Sequence, residues 1–210
     1  CVYGQVNGIV NENAPQFPNW DYGVSKLAAE RYSKIYNDYK NLNTINLRYA
    51  IVYGEKEWFR RVLPIYVKRV AHGQAPVVFG AGEQIRDFIH VSDVVSLHYA
   101  CMMSNLADGQ TLNVGTGQPT KILELARLLT KIGGINSGPI HENIEEGNES
   151  SIIKGKRRNM SELKVMLLDI QRAKKLLHWE PIVDLETGLK RTLDWYMVNQ
   201  NRWQKIFTTD

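Results

Sequence analysis

A helix and a strand joined by a short loop dominate the first quarter of the sequence and constrain its fold most strongly. Between Asp21 and Lys40, apolar and aromatic residues recur at helical spacing: Ala28, Tyr32, Ile35, Tyr36 and Tyr39. From Thr44 to Tyr49 the side chains alternate between polar and apolar, as in a half-buried strand. A helix followed closely by a strand is typical of α/β units, in which helices connect neighbouring strands.

The rest of the sequence repeats this alternation of short strands and helices. Further strands are predicted at Val77–Phe79, Arg86–Val91 and Thr111–Val114. Helices are predicted from Pro64 to Gly73, after Ser92 or Asp93 to about Ser104, after Thr120 to Leu129, and after Asp169 and Asp184. The polar stretch from Gly133 to Asn159 is long for an irregular segment, so it is either a mobile lid or contains a short strand.

Composition excludes several classes of protein. The 210 residues are 43% hydrophobic and 23% charged and include two cysteines, which excludes a disordered chain and a disulfide scaffold. No run of 18 apolar residues occurs, so we expect a cytoplasmic enzyme or binding domain with no membrane partner. The net charge of +4 suits a phosphate-bearing ligand but does not require nucleic acid. The five histidines show no metal-ligand spacing, so no metal is expected.

Tyr22 and Lys26 are the first pair of residues that indicates chemistry. Residues four apart lie on one face of a helix, and an ammonium group beside a phenol favours the phenolate. Such a tyrosine can remove or return a hydroxyl proton. The same spacing recurs at Tyr36 and Lys40, so spacing alone equally fits an exposed pair on a helix surface.

Five further motifs accompany this pair. In chain order they are Val2-Tyr3-Gly4, Leu47-Arg48-Tyr49, the block from Phe79 to Asp93, Leu112-Asn113-Val114-Gly115-Thr116-Gly117, and Leu176-Leu177-His178-Trp179-Glu180-Pro181. The part from Arg86 to Asp93 is the most specific. In this order and spacing they resemble the extended short-chain dehydrogenase/reductases, in particular the NAD-dependent sugar-nucleotide epimerase/dehydratase family. Within that family the sequence is most similar to the UDP-glucose 4-epimerase group.

The resemblance implies an α/β fold with two domains. One is a Rossmann-like doubly wound parallel sheet with its N-terminal half missing, and the other is a smaller α/β substrate-binding domain. Residues 1–54 and 94–132 are assigned to the Rossmann domain, and residues 55–93 and 133–210 to the substrate-binding domain. The Gly-rich dinucleotide fingerprint does not occur in the sequence, so we expect roughly 100 residues to be absent from the N-terminus. We expect such a fragment to bind NAD weakly and to be inactive alone.

Roles at an NAD site are also implied by the resemblance. Tyr22 is the expected acid/base, and Lys26 is expected to hold the nicotinamide ribose and to favour the tyrosinate. Tyr49 and Val52 match positions that border the nicotinamide. The oxidised cofactor takes a hydride from the sugar and returns it, so that NAD is recycled.

The implied substrate is a nucleoside-diphosphate sugar, most readily a UDP-sugar. Arg86 and Arg158 match diphosphate-binding arginines, whose planar guanidinium groups suit phosphate oxygens. The alternatives are a strand-edge salt bridge between Arg86 and Asp87, and a solvated basic loop around Arg158. Val77 and Phe79 match residues that pack on the nucleobase, although Phe79 equally fits an ordinary core position.

Three positions depart from the family pattern. The 4,6-dehydratases typically have a glutamate immediately before Val-Tyr-Gly, where this sequence has Cys1, and a thiol is a poor substitute for a carboxylate. An epimerase is therefore favoured, with a dehydratase or reductase as the alternative. Arg61 replaces an asparagine of many epimerases, which favours a charged sugar such as a uronic acid. Ile51 replaces another asparagine, so a non-catalytic NAD-binding regulator remains an alternative to an enzyme.

Helix 21–40 carries more apolar residues than a solvent-facing helix needs. Proteins of the family often form homodimers through a pair of helices that includes this one. The residues concerned are Tyr32, Ile35, Tyr36 and Tyr39. They are expected either inside the domain or in a homodimer contact.

Overall fold

A computed structural model describes residues 1–57, 61–160 and 162–200. The described chain divides into two compact units. The first unit contains Cys1–Val52, Gln84–Thr120 and Leu163–Ile182. The second unit contains Tyr53–Glu83, Lys121–Glu162 and the described residues from Val183 onward. Within the described ranges, no helix is long and apolar enough to cross a membrane.

Helices and short strands alternate along most of the chain. In order they are β1 (Ile9–Val10), α1 (Asp21–Lys40), β2 (Asn46–Tyr49), β3 (Ile51–Tyr53), α2 (Val62–Ala71), β4 (Val77–Phe79), β5 (Ile85–Arg86), β6 (Phe88–His90), α3 (Val91–Met102), β7 (Thr111–Val114), β8 (Thr120–Lys121), α4 (Ile122–Ile132), β9 (Ile140–Glu142), β10 (Val165–Leu168), α5 (Gln171–Leu177) and α6 (Leu185–Val198). The predicted α/β class is confirmed.

The first unit is organised by parallel strand pairs. Four strands form a sheet in the order β1-β10-β5-β8, in which β10 runs parallel to both β1 and β5. Strand β2 pairs in parallel with β7, from Asn46 opposite Thr111 to Tyr49 opposite Val114. Beside these strands lies a core of apolar residues: Ile89, Val94, Leu97, Ala107, Leu112, Val114, Ala173 and Trp179. Burial of this apolar area is the main force that holds the unit together.

The second unit combines one parallel strand pair with three helices. Strand β4 pairs with β9, with Val77 opposite Ile140 and Phe79 opposite Glu142. Helices α2, α4 and α6 pack against one another, and α4 also contacts β4. Leu125, Ala126 and Leu129 on α4 are fully buried, as expected for an amphipathic helix. The Gly82 carbonyl accepts from the Leu123 amide at 3.0 Å, which ties the turn after β4 to the start of α4.

Several helix starts and one strand differ from their predicted positions. Helix α3 begins at Val91, and its N-cap is His90 and not Ser92 or Asp93. The His90 side chain accepts the capping hydrogen bond from the Ser92 amide. Ile170 is the N-cap of α5, although an oxygen of Asp169 accepts from the Gln171 amide at 2.8 Å. The predicted strand Arg86–Val91 is divided into β5 and β6. Strand β9 lies within the polar stretch 133–159, which confirms the short-strand alternative.

The boundaries of the compact units differ from the predicted domain boundaries. The chain leaves the first unit after Val52, close to the predicted 54, but returns at Gln84 and not at 94. It leaves again after Thr120, not at 132, and residues 163–182 belong to the first unit. Two contacts explain the differences: β5 pairs with β10, and α4 packs against α2 and α6.

Candidate functional site

Tyr22 and Lys26 lie at the start of α1, where the phenol is accessible. Tyr22 is 48% exposed, and the Lys26 Nζ atom lies 5.4 Å from the centroid of its ring. The ring of Trp20 is tilted against it at 5.6 Å. The two side chains therefore share one face, as their spacing predicted, and the ammonium lies over the ring. This geometry offers a solvent-accessible proton donor or acceptor beside a fixed positive charge.

Two glycines allow the start of α1 to approach the Val2-Tyr3-Gly4 segment closely. A Cβ atom on Gly23 would lie 2.9 Å from the Cys1 carbonyl oxygen and 2.8 Å from the Pro18 Cβ. Gly4 has a φ of +69°, and a Cβ atom there would lie 2.0 Å from the Phe17 carbonyl oxygen. Only glycine fits these two contacts without movement of the backbone. Residues 1–4 and Tyr22 are thereby held close together.

A buried polar network next to this face was not anticipated from the sequence. Arg48 on β2 donates to the Glu30 carboxylate of α1, from Nε at 2.8 Å and from Nη2 at 2.5 Å. Its Nη1 donates to the Tyr3 hydroxyl at 2.7 Å, which donates in turn to Asn113 Oδ1 at 2.7 Å. Burial alone would raise the pKa of Glu30, but its hydrogen bonds and the charge of Arg48 hold it below its ordinary value.

Tyr49 and Val52 lie beside the core of the first unit. The Tyr49 hydroxyl is 3.0 Å from His98 Nε2, and the two rings stack with centroids 6.0 Å apart. Because His98 Nδ1 faces the Val94 carbonyl at 2.8 Å, Nδ1 is assigned the proton and Nε2 accepts from Tyr49. Burial raises the pKa of Tyr49. Val52 is half-buried against the apolar core of this unit.

Arg86 belongs to the first unit and is followed by a buried carboxylate. Arg86 is half-buried, and its Nη1 donates to the Ile85 carbonyl at 2.8 Å. One oxygen of Asp87 accepts from the amide and hydroxyl of Thr116, at 2.8 and 2.7 Å. The other oxygen accepts from the amides of Gly117 and Leu168. Asp87 therefore connects the strand of Arg86 to the turn after β7 and to β10.

The other predicted substrate residues belong to the second unit. Val77 is 2% exposed and contributes to the core, whereas Phe79 at the end of β4 is half-buried. The Arg158 guanidinium lies beside Gly80, directly after Phe79, and donates to the Ile144 carbonyl at 2.7 Å. Arg61 is exposed at the N-cap of α2. Arg158 and Phe79 thus lie close together, as a base and diphosphate site would require.

The residues present fit one end of a dinucleotide. The ammonium of Lys26 can donate to a ribose hydroxyl, which leaves the exposed phenol of Tyr22 free to face a hydroxyl of the sugar. Neither glycine cluster, 80–82 or 115–117, has the G-x-G-x-x-G spacing that cradles a pyrophosphate. The chain therefore offers contacts for the nicotinamide end of NAD.

Comparison with known families and proteins identifies the family of the chain. Residues 1–115 match the model of the NAD dependent epimerase/dehydratase family. A putative UDP-glucose 4-epimerase of Methanocaldococcus jannaschii is 34% identical over 206 residues, covering 96% of this chain and 61% of the relative. A dTDP-D-glucose 4,6-dehydratase of Mus musculus is 27% identical over 207 residues, covering 97% and 55%. The chain thus spans little more than half the length of these relatives.

Solved structures share the fold. The UDP-glucose 4-epimerase of Thermotoga maritima with UDP-glucose superimposes with a TM-score of 0.82 at 30% identity, covering 94% of this chain and 60% of that one. The UDP-glucuronic acid 4-epimerase of Bacillus cereus, in complex with UDP-glucuronic acid and NAD, gives a TM-score of 0.80 at 27% identity, covering 95% and 59%. The motifs around Tyr22, the parallel α/β architecture and these matches agree. The chain belongs to the NAD-dependent epimerase/dehydratase family.

Proposed function

We propose that the protein carrying this chain epimerises a UDP-sugar with NAD, and that Tyr22 is its acid/base. The observation that carries the proposal is the exposed Tyr22 phenol beside the Lys26 ammonium, in a member of an NAD-dependent family. NAD, when bound, supplies the hydride acceptor. Tyr22 removes the proton from the sugar hydroxyl and returns it, and Lys26 binds the ribose. Without a dinucleotide fingerprint, the 210 residues alone bind NAD weakly, and calorimetry tests this point.

Substitution of Tyr22 by phenylalanine tests this role. In the natural polypeptide that carries this sequence, Tyr22→Phe lowers kcat by about a hundredfold or more, because the general acid/base is lost. The substrates are UDP-glucose, UDP-galactose and their uronates. Tyr36→Phe is the matched control, since Tyr36 lies on the same helix and has the same spacing to Lys40. Equal rates for Tyr22→Phe and the wild type would exclude Tyr22 as the acid/base.

An epimerase is favoured over a dehydratase by the residue at position 1. Cys1, half-buried beside Gly23, occupies the place where the 4,6-dehydratases typically have a glutamate. Without that carboxylate the loss of water from the sugar has no obvious acid. Product analysis separates the reactions: a 4-epimer supports the proposal, and a 4-keto-6-deoxy sugar favours the dehydratase. NAD binding without turnover of any UDP-sugar favours the remaining alternative, a non-catalytic NAD-binding regulator.

Arg61 is proposed to set the preference for the sugar. Arg86 and Arg158 are proposed to bind the diphosphate. The exposed cation of Arg61 can pair with the carboxylate of a uronic acid. Arg61→Asn therefore lowers kcat/KM for a UDP-uronate by about tenfold relative to the neutral sugar. Arg191→Asn, an exposed arginine on α6, is the control. An unchanged ratio of the two kcat/KM values would remove Arg61 from the substrate site.

A homodimer contact is proposed along α1. Tyr32, Ile35, Tyr36 and Tyr39 are between 48% and 78% exposed, which excludes burial inside the first unit. A contiguous apolar face of this kind is uncommon on a monomer. Sedimentation of the natural polypeptide is expected to give a dimer that Ile35→Asp converts to a monomer. A wild type that sediments as a monomer at all concentrations would contradict this contact.

A further inference from the structure

A buried ion pair fixes α1 to β2 one helical turn beyond Lys26. Tyr22, Lys26 and Glu30 are spaced four residues apart and therefore share one face of the helix. Arg48 binds the Glu30 carboxylate with two parallel hydrogen bonds, and the two side chains are only 9% and 12% exposed. Bidentate geometry of this type fixes orientation as well as distance.

The same arginine also holds the segment against which α1 begins. Its Nη1 donates to the Tyr3 hydroxyl at 2.7 Å and to the Glu12 carbonyl at 3.1 Å. Its guanidinium carbon lies 4.9 Å from the centre of the Tyr3 ring. One side chain on β2 thus connects α1 with the Val2-Tyr3-Gly4 segment.

Besides the close packing of Gly23 against the Cys1 carbonyl and Pro18, the polar contacts of the first half of α1 centre on Glu30. The N-cap residue of the helix, Trp20, makes no side-chain capping bond, and Gly23 is the only buried residue of the described helix. Leu27 is partly buried against the cluster of Val2, Tyr3, Ala50 and Leu168. The hydrogen bond from Thr44 Oγ1 to the Ser33 carbonyl lies farther along the helix. Gln16 also donates to Glu30 Oε1 at 3.1 Å and accepts from Arg31 at 2.8 Å. The ion pair with Arg48 is the charged and bidentate part of this anchor, and with Gly23 it helps to fix the rotation of the first two turns.

We propose that Arg48, acting through Glu30, is the positioning residue of the acid/base pair. It fixes the rotation of α1, and with it the direction in which Tyr22 and Lys26 face a bound sugar and ribose. This inference rests on the proposed role of Tyr22. Arg48 itself touches no reacting atom, so its loss reduces the fraction of aligned complexes and leaves the binding of the nucleotide unchanged.

Steady-state kinetics on the natural polypeptide test the proposal. Arg48→Gln and Glu30→Gln each lower kcat about tenfold, with KM for the UDP-sugar within about twofold of the wild type. Arg48→Lys restores part of kcat, because one of the two bonds can re-form. The double variant Glu30→Gln/Arg48→Gln is no worse than either single variant, since the pair acts as a unit. The double variant also removes both charges and leaves no buried charge unpaired. It can therefore be measured even if a single variant fails to fold.

The control and a readout without turnover complete the test. Lys34→Gln/Asp38→Asn removes an exposed ion pair of the same helix and leaves kcat unchanged. Amide hydrogen exchange of residues 24–28, whose amides can bond within α1, becomes at least about tenfold faster in Arg48→Gln but not in this control. If the wild type turns over no UDP-sugar but exchange is faster in Arg48→Gln, the proposed function is refuted. The anchoring of α1 by Arg48 is then still supported. Unchanged exchange, or kcat of the folded double variant within twofold of the wild type, would overturn the positioning role.

Discussion

Asp87→Asn is expected to lower the free energy of unfolding by about 3 kcal/mol, because it places donors against donors in a buried site. The carboxylate is fully buried, and its two oxygens accept four bonds from residues 116, 117 and 168. Asparagine keeps one oxygen, which can serve Thr116. Its NH2 group then faces the N–H groups of Gly117 and Leu168.

Chemical denaturation of the 210-residue chain and of its variants measures this loss. Asp194→Asn is the control, because Asp194 is exposed and forms an ion pair with Lys190 one turn away on α6, so about 0.5 kcal/mol or less is expected. Thr116→Val removes the hydroxyl, which donates to Asp87 and accepts from the exposed Gln118 amide, and is expected to cost about 1 kcal/mol. An Asp87→Asn protein as stable as Asp194→Asn would show that the Asp87 site does not hold the turn and β10 together.

The same substitution also bears on the site. Asp87 follows Arg86 directly, and its bonds fix the strand from which Arg86 extends. A Cβ atom on Gly115 would lie 2.3 Å from Asp87 Oδ2, so the turn and the carboxylate fit each other closely. Movement of this strand displaces an arginine proposed to bind the diphosphate. The sequence suggests Asp87 as a salt-bridge partner of Arg86 at a strand edge. In the structure Asp87 is instead a buried residue that holds parts of the first unit together.

Local patterns predicted the elements that depend on local forces. Helix α1 follows its 3.6-residue period with the predicted bounds, and Asp184 caps α6 with a bond from the Thr187 amide. The Tyr22–Lys26 pair belongs to this class, because a spacing of four on a helix determines the contact. Strand β7 was predicted with its observed bounds for the same reason, since the alternation of its side chains is local.

Long-range pairings could not be obtained in this way. Strands β1 and β10 have two and four residues, and they become strands only because they meet across more than 150 positions. Glu30 and Arg48 are 18 residues apart, and nothing in either neighbourhood marks them as partners. Such contacts depend on how the parallel sheet is assembled, and a single sequence contains no local signal of that assembly.

The second large effect is expected at Glu57, whose carboxylate is buried without a hydrogen-bond partner among the described residues. It lies at a small cavity of the second unit lined by Gly54, Lys56, Pro64, Val67, Thr192, Trp195 and Tyr196. Burial raises its pKa to about 8, against a smaller opposite effect of the Arg61 charge. An acid with a raised pKa stabilises the folded state fully at low pH, and this contribution is lost as the pH rises from about 4.5 through 8.

Glu57→Gln removes this titration and keeps the shape of the side chain. The variant is therefore expected to be more stable than the wild type by about 3 kcal/mol at pH 9, and to differ little from it at pH 5. Denaturation of the 210-residue chain at both pH values measures the change, with Glu186→Gln, an exposed residue paired with Lys131, as the control. A stability difference between Glu57→Gln and the wild type that is the same at both pH values would mean that the Glu57 carboxyl is solvated. The pH dependence of stability in the second unit would then have to come from other groups.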